Sequence, residues 1–297
     1  MESNDMNPVN PEDFRVTAAI ALAETDTAPK HDYDEDAKEE MLEKLGRRIA
    51  KLQEKMYAHN RFGVLVCLQG MDTSGKDSLI RELFKNVNPR GVVVHSFKVP
   101  NSTELEHDYL WRHYLALPEK GKIAVFNRTH YENVLVTRVH PEYLLNENLP
   151  GVEKVEDIDA KFWERRMEQI NNFEKHLSEN GTVVLKFFLH LSKEEQRQRL
   201  LRRLDEPEHN WKFSPGDLKE RERWNDYMNC YQDAINSSSK PHAPWFVIPA
   251  DDKDMCRCIV AEILLGELEK YPFETPELDE KIKANIDNYR RALENEH

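Results

Sequence analysis

Scarcity narrows this chain first. Four cysteines in 297 residues (Cys67, Cys230, Cys256, Cys258), with neither the spacing nor the neighbouring histidines of a metal site, exclude a disulfide-stapled scaffold and a zinc module. They read as buried thiols of a reducing compartment. No apolar run approaches the roughly 20 residues of a membrane span. The start, MESNDMNPVNPEDFRV, lacks the basic cluster and apolar stretch of a secretory leader. The expectation is a cytoplasmic protein with no membrane contact. Positive charge is short as well: 42 Lys and Arg against 55 Asp and Glu leave a formal net charge of −13. That balance excludes broad nucleic-acid or membrane-surface binding, so any anionic ligand must find a local basic site.

What is present is enough apolar material, 39% of residues, for one large α/β domain or two small ones. Residues 1–34 are polar with scattered proline and acid, an arm expected to pack on a body. From Asp36, apolar Met41, Leu42, Leu45, Ile49, Leu52 and Met56 recur at three and four, an amphipathic helix. GVLVCLQ (63–69) is a continuous apolar run of the kind buried on both faces of a parallel sheet. VVVHSF (92–97), KIAVF (122–126), TVVLKFFL (182–189) and WFVI (245–248) repeat the pattern between stretches of helical period. Strands alternating with helices predict a parallel sheet covered on both faces. No internal repeat is visible. The polar, arginine- and tryptophan-rich stretch from about 192 to 236 interrupts the alternation and is expected to be a helical lid. The expected organisation is an arm (1–34), a body with its lid (35–275) and a charged carboxyl-terminal helix (276–297).

Gly70-x-x-x-x-Gly75-Lys76 follows a strand and opens a helix, the context a phosphate-binding loop requires. Backbone N–H groups over Gly70, Met71, Thr73, Ser74 and Gly75 would form an anion nest at a helix amino terminus, and Lys76 would reach the outer phosphates. Two acids are out of place there. Asp77 stands where Ser or Thr usually binds magnesium, and Asp72 sits inside the loop. Carboxylates beside phosphates repel by on the order of several kcal/mol in a partly dry site unless a divalent cation lies between them. Magnesium takes one or two carboxylates with phosphate oxygens and water, so Asp72 and Asp77 point to that ion. For Asp77 an equal reading is a first-turn acid opposing the helix dipole.

KIAVF ends in Asn127-Arg128-Thr129-His130-Tyr131-Glu132. Ligands of open α/β sheets bind beyond the carboxyl ends of the strands, so this hexapeptide meets the phosphate loop if the first and third strands are neighbours. Arg128 would then clamp a phosphoryl group with its planar fork. Thr129-x-x-Glu132 is also a capping-box pattern, which offers Glu132 a purely structural role. Ser192-x-x-Glu195 is a second such pattern, and Arg199 and Arg203 lie four apart on the helix it starts. That pair reads either as an exposed ion-paired face, with Glu195 against Arg199, or as contacts to a long polyanion, together with Arg197, Arg202 and Lys212. Trp111 and Trp211 suit a base stack or a core position.

The blocks LQGMDTSGKD, NPRGVVVHSFKVPNSTELEHDYLWR, VFNRTHYENVLVTRVHPE, RLDEPEHNWKFSPGDLKERERWNDY and APWFVIPADDK, in this order over roughly residues 38–270, resemble the polyphosphate kinase family 2. The resemblance implies a P-loop kinase-like three-layer α/β sandwich with a five-stranded parallel sheet and a helical lid. It also implies reversible, magnesium-dependent phosphoryl transfer between inorganic polyphosphate and nucleotides, with manganese as a substitute ion. In the family the loop acid and lysine match Asp72 and Lys76, and the lid arginines match Arg199 and Arg203. Many members carry Asp-Arg and then Tyr-Asn, where this chain has Asn127-Arg128 and Tyr131-Glu132. That variant resembles the class III subgroup, whose members phosphorylate nucleoside mono- and diphosphates. Loss of an aspartate at 127 makes Glu132 the expected second metal carboxylate, with Asn127 beside it. Lys98, Arg112 and Lys212 are expected as further anion contacts. Adenine nucleotides, guanine nucleotides as alternatives, and a homo-oligomer, dimer or tetramer, complete the expected partners. Two rivals share the cradle: an ATP-dependent nucleotide or nucleoside kinase, and a silent phosphate-binding scaffold, which Asn127 would suit. A switch GTPase is disfavoured because no NKxD element is present.

Overall fold

The apolar runs become strands, and the stretches between them become helices. The computed structural model describes residues 9–30 and 33–296; residues 1–8 of the expected arm, residues 31–32 and His297 lie outside the described residues. In chain order the elements are α1 (Glu35–His59), β1 (Gly63–Gln69), α2 (Lys76–Leu83), β2 (Val92–Ser96), α3 (Ser102–Leu105), α4 (Trp111–Tyr114), β3 (Ile123–Asn127) and α5 (Glu132–Val139). They continue through α6 (Ala160–Glu179), β4 (Thr182–His190), α7 (Lys193–Asp205), α8 (Pro215–Glu222), α9 (Trp224–Ser238), β5 (Trp245–Pro249), α10 (Lys253–Leu268) and α11 (Glu280–Glu294).

The sheet is parallel throughout, in the order β2-β3-β1-β4-β5. Central β1 is buried along its whole length, which explains why its sequence is a continuous apolar run rather than an alternating one. The pleat sends Val64, Val66 and Leu68 to the layer of α1, α2 and α10, and Leu65 and Cys67 to the opposite layer. β4 divides in the same way, with Phe187 and Leu189 in the first layer and Phe188 in the second, beside α5 and α9. All four cysteines are free and buried. The stretch preceding α1 lies along β5 and α9: Val16 N–H donates to Trp245 O at 2.9 Å, and Leu22 N–H to Gln232 Oε1 at 2.9 Å.

The excursion between β4 and β5 has two characters. α7 and α8 bury few side chains, whereas α9 buries Trp224, Tyr227, Tyr231, Ala234 and Ile235 and completes the second layer. α11 buries none, and its apolar residues Ile282, Ile286, Tyr289 and Leu293 form an exposed stripe.

Candidate active site

Conformation concentrates the site before chemistry does. Gly70 has φ +155°, and a Cβ there would lie 2.8 Å from Ser74 Oγ and 2.9 Å from Leu189 O, so only glycine lets the loop close. Gly75, at φ +101°, caps α2 in the left-handed region. Thr73 (φ 63°) and Arg128 (φ 59°) hold the same region without glycine's freedom, each at a cost of about 1 kcal/mol or more. Left-handed non-glycine backbone therefore occurs on both strand ends that meet here. The parallel register pairs Leu68 with Asn127, so the tip of β3 stands beside the loop that leaves β1.

Lys76 is folded over the loop. Its Nζ donates to Gly70 O (2.8 Å), Met71 O (3.2 Å) and Ser74 Oγ (3.3 Å). Burial, with Arg128 nearby, pulls this ammonium down to about 8. The Thr73 hydroxyl is buried with no partner among the described residues.

On the β3 side, Asn127 Nδ2 donates to Asp77 Oδ1 at 2.6 Å. A carboxylate only accepts, so this bond fixes the amide and leaves its oxygen available. Glu132 is not a helix cap. α5 has Tyr131 at its N-cap with no side-chain cap bond, and the Thr129 hydroxyl accepts from Tyr131 N–H and Gln69 Nε2 instead. The capping-box reading of Thr129 and Glu132 is therefore corrected. Glu132 Oε1 accepts from Gln69 Nε2 at 2.9 Å, and Oε2 stands 3.8 Å from Arg128 Nη1.

The excursion contributes a clamp and a latch. Ser192 caps α7 through Glu195 N–H, but the box is half formed, because Glu195 turns to Arg199 (2.8 Å) and Arg202 (2.9 Å). Arg199 is buried, not on an exposed face. Its remaining donors reach Thr73 O, Ala250 O and Asp251 O, tying α7 to the phosphate loop and to the end of β5. Arg203 Nη1 donates to Asp72 Oδ2 (3.0 Å) and Asp217 Oδ2 (3.4 Å). Part of the neutralisation that Asp72 needs thus comes from the protein itself. Burial, then the neighbouring Asp72, raises Asp217. Trp211 is 79% exposed, so it is not a core residue, and Lys212 Nζ lies 5.2 Å from its ring centre.

Two cavities open at this junction. One, of about 390 Å³, is lined by Asp72 to Ser78 and Asn127, with cations from Arg81, Arg128, Arg199, Arg202, Arg203, Lys212 and Lys253. The other, of about 360 Å³, has apolar walls from Phe97, Val99, Leu105 and Val136, with Lys98, Arg112 and Glu132 at its polar positions. Arg128 lines both. Arg112 is engaged with Glu104 (3.2 Å) and Lys98 O (2.9 Å), and its guanidinium lies over Phe97. Sequence reasoning missed Gln69, Arg81, Asp217, Lys253 and Gln196, whose Nε2 donates to Asp72 O at 3.1 Å. Gln69 and Lys253 were open to the strand-end rule: one closes β1, the other opens the helix after β5.

The donors present suit a hard cation. Asp72, Asp77 and the Asn127 amide offer oxygen atoms at the cation-rich cleft, and Glu132 offers its own at the second cavity. Asp72, Asp77 and Glu132 do not form a three-acid cage: among the described residues the one group of three acidic, histidine or cysteine side chains with ligand atoms within 4.8 Å is Glu206, Glu208 and His209. A partial oxygen set fits magnesium completed by phosphate oxygens and water.

A strand–loop–helix cradle with a half-buried lysine, beside an arginine set just past the end of the neighbouring strand, defines a P-loop phosphotransferase. Comparison with known proteins narrows this. Residues 32–276 match the model of the Polyphosphate kinase 2 family, and the chain belongs to that family. It is 48% identical over 254 residues to an ADP-polyphosphate phosphotransferase of Rhodopseudomonas palustris, covering 86% of this chain and 87% of that one. It is 46% identical over 238 residues to an AMP/ADP-polyphosphate phosphotransferase of Meiothermus ruber, covering 80% and 84%. The crystal structure of Polyphosphate Kinase 2 from Arthrobacter aurescens superposes with a TM-score of 0.86 at 36% identity, over 95% of this chain and 97% of that one. The chain is thus an enzyme that transfers phosphate, and the scaffold reading is set aside.

Proposed function

We propose that this chain moves the terminal phosphoryl group of inorganic polyphosphate to AMP and then to ADP, reversibly, with magnesium or, in its place, manganese. The observation that carries this reading is Arg128, which lines both a cation-rich cleft and an apolar-walled cavity. A polyanionic chain suits the first and a nucleoside the second, so donor and acceptor phosphates meet at one guanidinium. The names of the R. palustris and M. ruber relatives support ADP and AMP as acceptors; guanine nucleotides are alternatives. We also propose a cytoplasmic homo-oligomer, dimer or tetramer, in which the lid expected over about 192–236 is narrowed to residues 193–222, because α9 is packed into the second layer.

In this mechanism the chain phosphates displace the loop oxygens from Lys76, whose ammonium then neutralises the outer phosphate. Arg203 transfers from Asp72 to the polyphosphate chain, which frees the carboxylate. Arg199 keeps α7 seated on the loop, and Arg128 spreads positive charge over the equatorial oxygens of the group in flight. Asp72, with Glu132 and the Asn127 amide oxygen, would hold magnesium, which when bound would supply positive charge against that of the phosphates. Lys98, Arg112 and Lys212 contribute to the rims. The accepting phosphate is already an anion, so no protein base is needed and no phosphorylated side chain forms.

The test is a matrix of polyphosphate or ATP as donors against AMP, ADP, GMP and GDP as acceptors, with magnesium. ADP and ATP should form from polyphosphate. Their absence, or equal turnover with ATP as donor to AMP, would overturn the reading.

A further inference from the structure

Directly beneath the site lies a set of charges that the chemistry above does not use. Lys186 occupies the middle of β4 and has no exposure at all. Its three ammonium hydrogens are all engaged: Nζ donates to Glu174 Oε2 (2.5 Å), Tyr131 Oη (2.9 Å) and Ser238 O (2.8 Å). Glu174, from α6, is as deeply buried, and its Oε1 accepts from Tyr131 Oη (2.8 Å) and His130 Nε2 (3.0 Å). The Tyr131 hydroxyl therefore donates to the acid and accepts from the lysine. Aromatic rings close around them edge to face, with Trp245 against Tyr131 at 4.9 Å and Phe173 against His130 at 5.3 Å.

Stability alone does not call for this arrangement. Removing two charges from water is costly, and well-packed apolar side chains of similar volume usually serve a fold as well or better. What the pair does hold is sequence-adjacent. His130 and Tyr131 follow Arg128 and Thr129, and they point down between sheet and helices while Arg128 stays half exposed above. Arg128 adopts a left-handed backbone that a free arginine avoids. Thr129 is pinned to Gln69 and Glu132 to the same side chain, so the turn is held from the side by Gln69 and from below by the ion pair.

We infer that Lys186 and Glu174, acting through Tyr131 and His130, are positioning residues for phosphoryl transfer: the buried pair fixes the strained turn that presents Arg128 to both phosphates. The inference rests on the assignment of Arg128 to the transferring group. It places no new group in contact with substrate. Alignment of a charged clamp is worth orders of magnitude in rate when misplacement reaches about 1 Å, and a pinned turn suppresses such misplacement.

The test is a mutant cycle on the full chain. Lys186→Met with Glu174→Leu removes both charges together and leaves no unpaired ion, but it strands the Tyr131 hydroxyl, His130 Nε2 and Ser238 O, so the melting temperature should fall by several degrees and the kinetics are read well below the transition. In that variant kcat should fall at least about tenfold while KM for polyphosphate stays within about twofold, because the cradle is untouched. In an Arg128→Ala background the same double change should cost less than about threefold more, since it acts through a side chain no longer present. Tyr131→Phe keeps the ring and removes the hydroxyl joining lysine to acid; it should show the same non-additivity and decides the matter if the double variant fails to fold. A smaller kcat loss, a loss carried by KM, or full multiplication in the Arg128→Ala background would overturn the inference. Unchanged kcat in Arg128→Ala alone would instead overturn the assignment of Arg128, and the inference with it.

Discussion

An ammonium held among three loop oxygens and pulled down to about 8 gives the cleft a pH response with a definite sign. Below that value Lys76 is charged and attracts the chain; above it the attraction fades. In the free enzyme kcat/KM for polyphosphate should therefore fall as pH passes about 8, and Lys76→Arg should carry the fall to higher pH. Stability runs the other way. The folded value lies below the ordinary 10.5, so the unfolded chain binds more protons between the two, and the ligand-free fold gains stability as pH rises through that window. A kcat/KM profile flat to pH 10 would refute the placement of Lys76 at the phosphates. Lys76→Ala and Asp72→Asn should each lower turnover at least about a hundredfold, as for electrostatic catalytic groups; near-normal rates in both would remove the assigned machinery. Glu132→Gln should weaken magnesium-dependent turnover and leave the melting temperature almost unchanged, because no cap is lost. Magnesium titrations alongside thermal melts read both halves.

Among the elements, α7 carries two arginines whose similar spacing hides different work. Arg199 is 4% exposed, and Arg199→Ala would strand three backbone carbonyls and part of Glu195, costing about 3 kcal/mol. Arg203 is 21% exposed and shared between two acids, so Arg203→Ala should cost under about 1 kcal/mol. Its effect should fall on KM for polyphosphate, raised about tenfold. Thermal melts, limited proteolysis across 193–222 and steady-state kinetics would separate them; equal stability loss in both would contradict the clamp and latch. The sequence showed the two arginines but not this difference, since helical spacing says which side chains share a face and not what that face meets. The five strands were legible because each is a short apolar run bounded by polar turns. The loop was legible because φ beyond +100° at Gly70 and Gly75 demands glycine. Thr129-x-x-Glu132 misled because Gln69, 63 positions before Glu132, takes both polar groups first. The second cavity was invisible for the same reason: its walls come from Phe97, Leu105, Val136 and Tyr143, which only the crossover from β2 to α5 brings together.

On the scale of the whole molecule, charge is divided against itself. The chain carries a formal −13, yet one cleft gathers Arg81, Arg128, Arg199, Arg202, Arg203, Lys212 and Lys253 around the phosphate loop. The net negative charge of the body disfavours a long polyanion in general, while the basic cleft supplies a local attraction. Both effects are screened within a Debye length of about 8 Å at physiological salt. A polyphosphate chain touches several cations and displaces several counterions, whereas AMP brings one phosphate group. Raising salt from about 50 to 200 mM should therefore increase KM for polyphosphate at least about tenfold and KM for AMP less than about threefold. Lys253→Ala and Arg202→Ala, which remove cations from the same cleft, should flatten the polyphosphate slope and leave kcat at saturating donor within about twofold. Equal salt slopes for the two substrates would mean that the chain is held at its terminal phosphate alone, with the outer cations of the cleft taking no part.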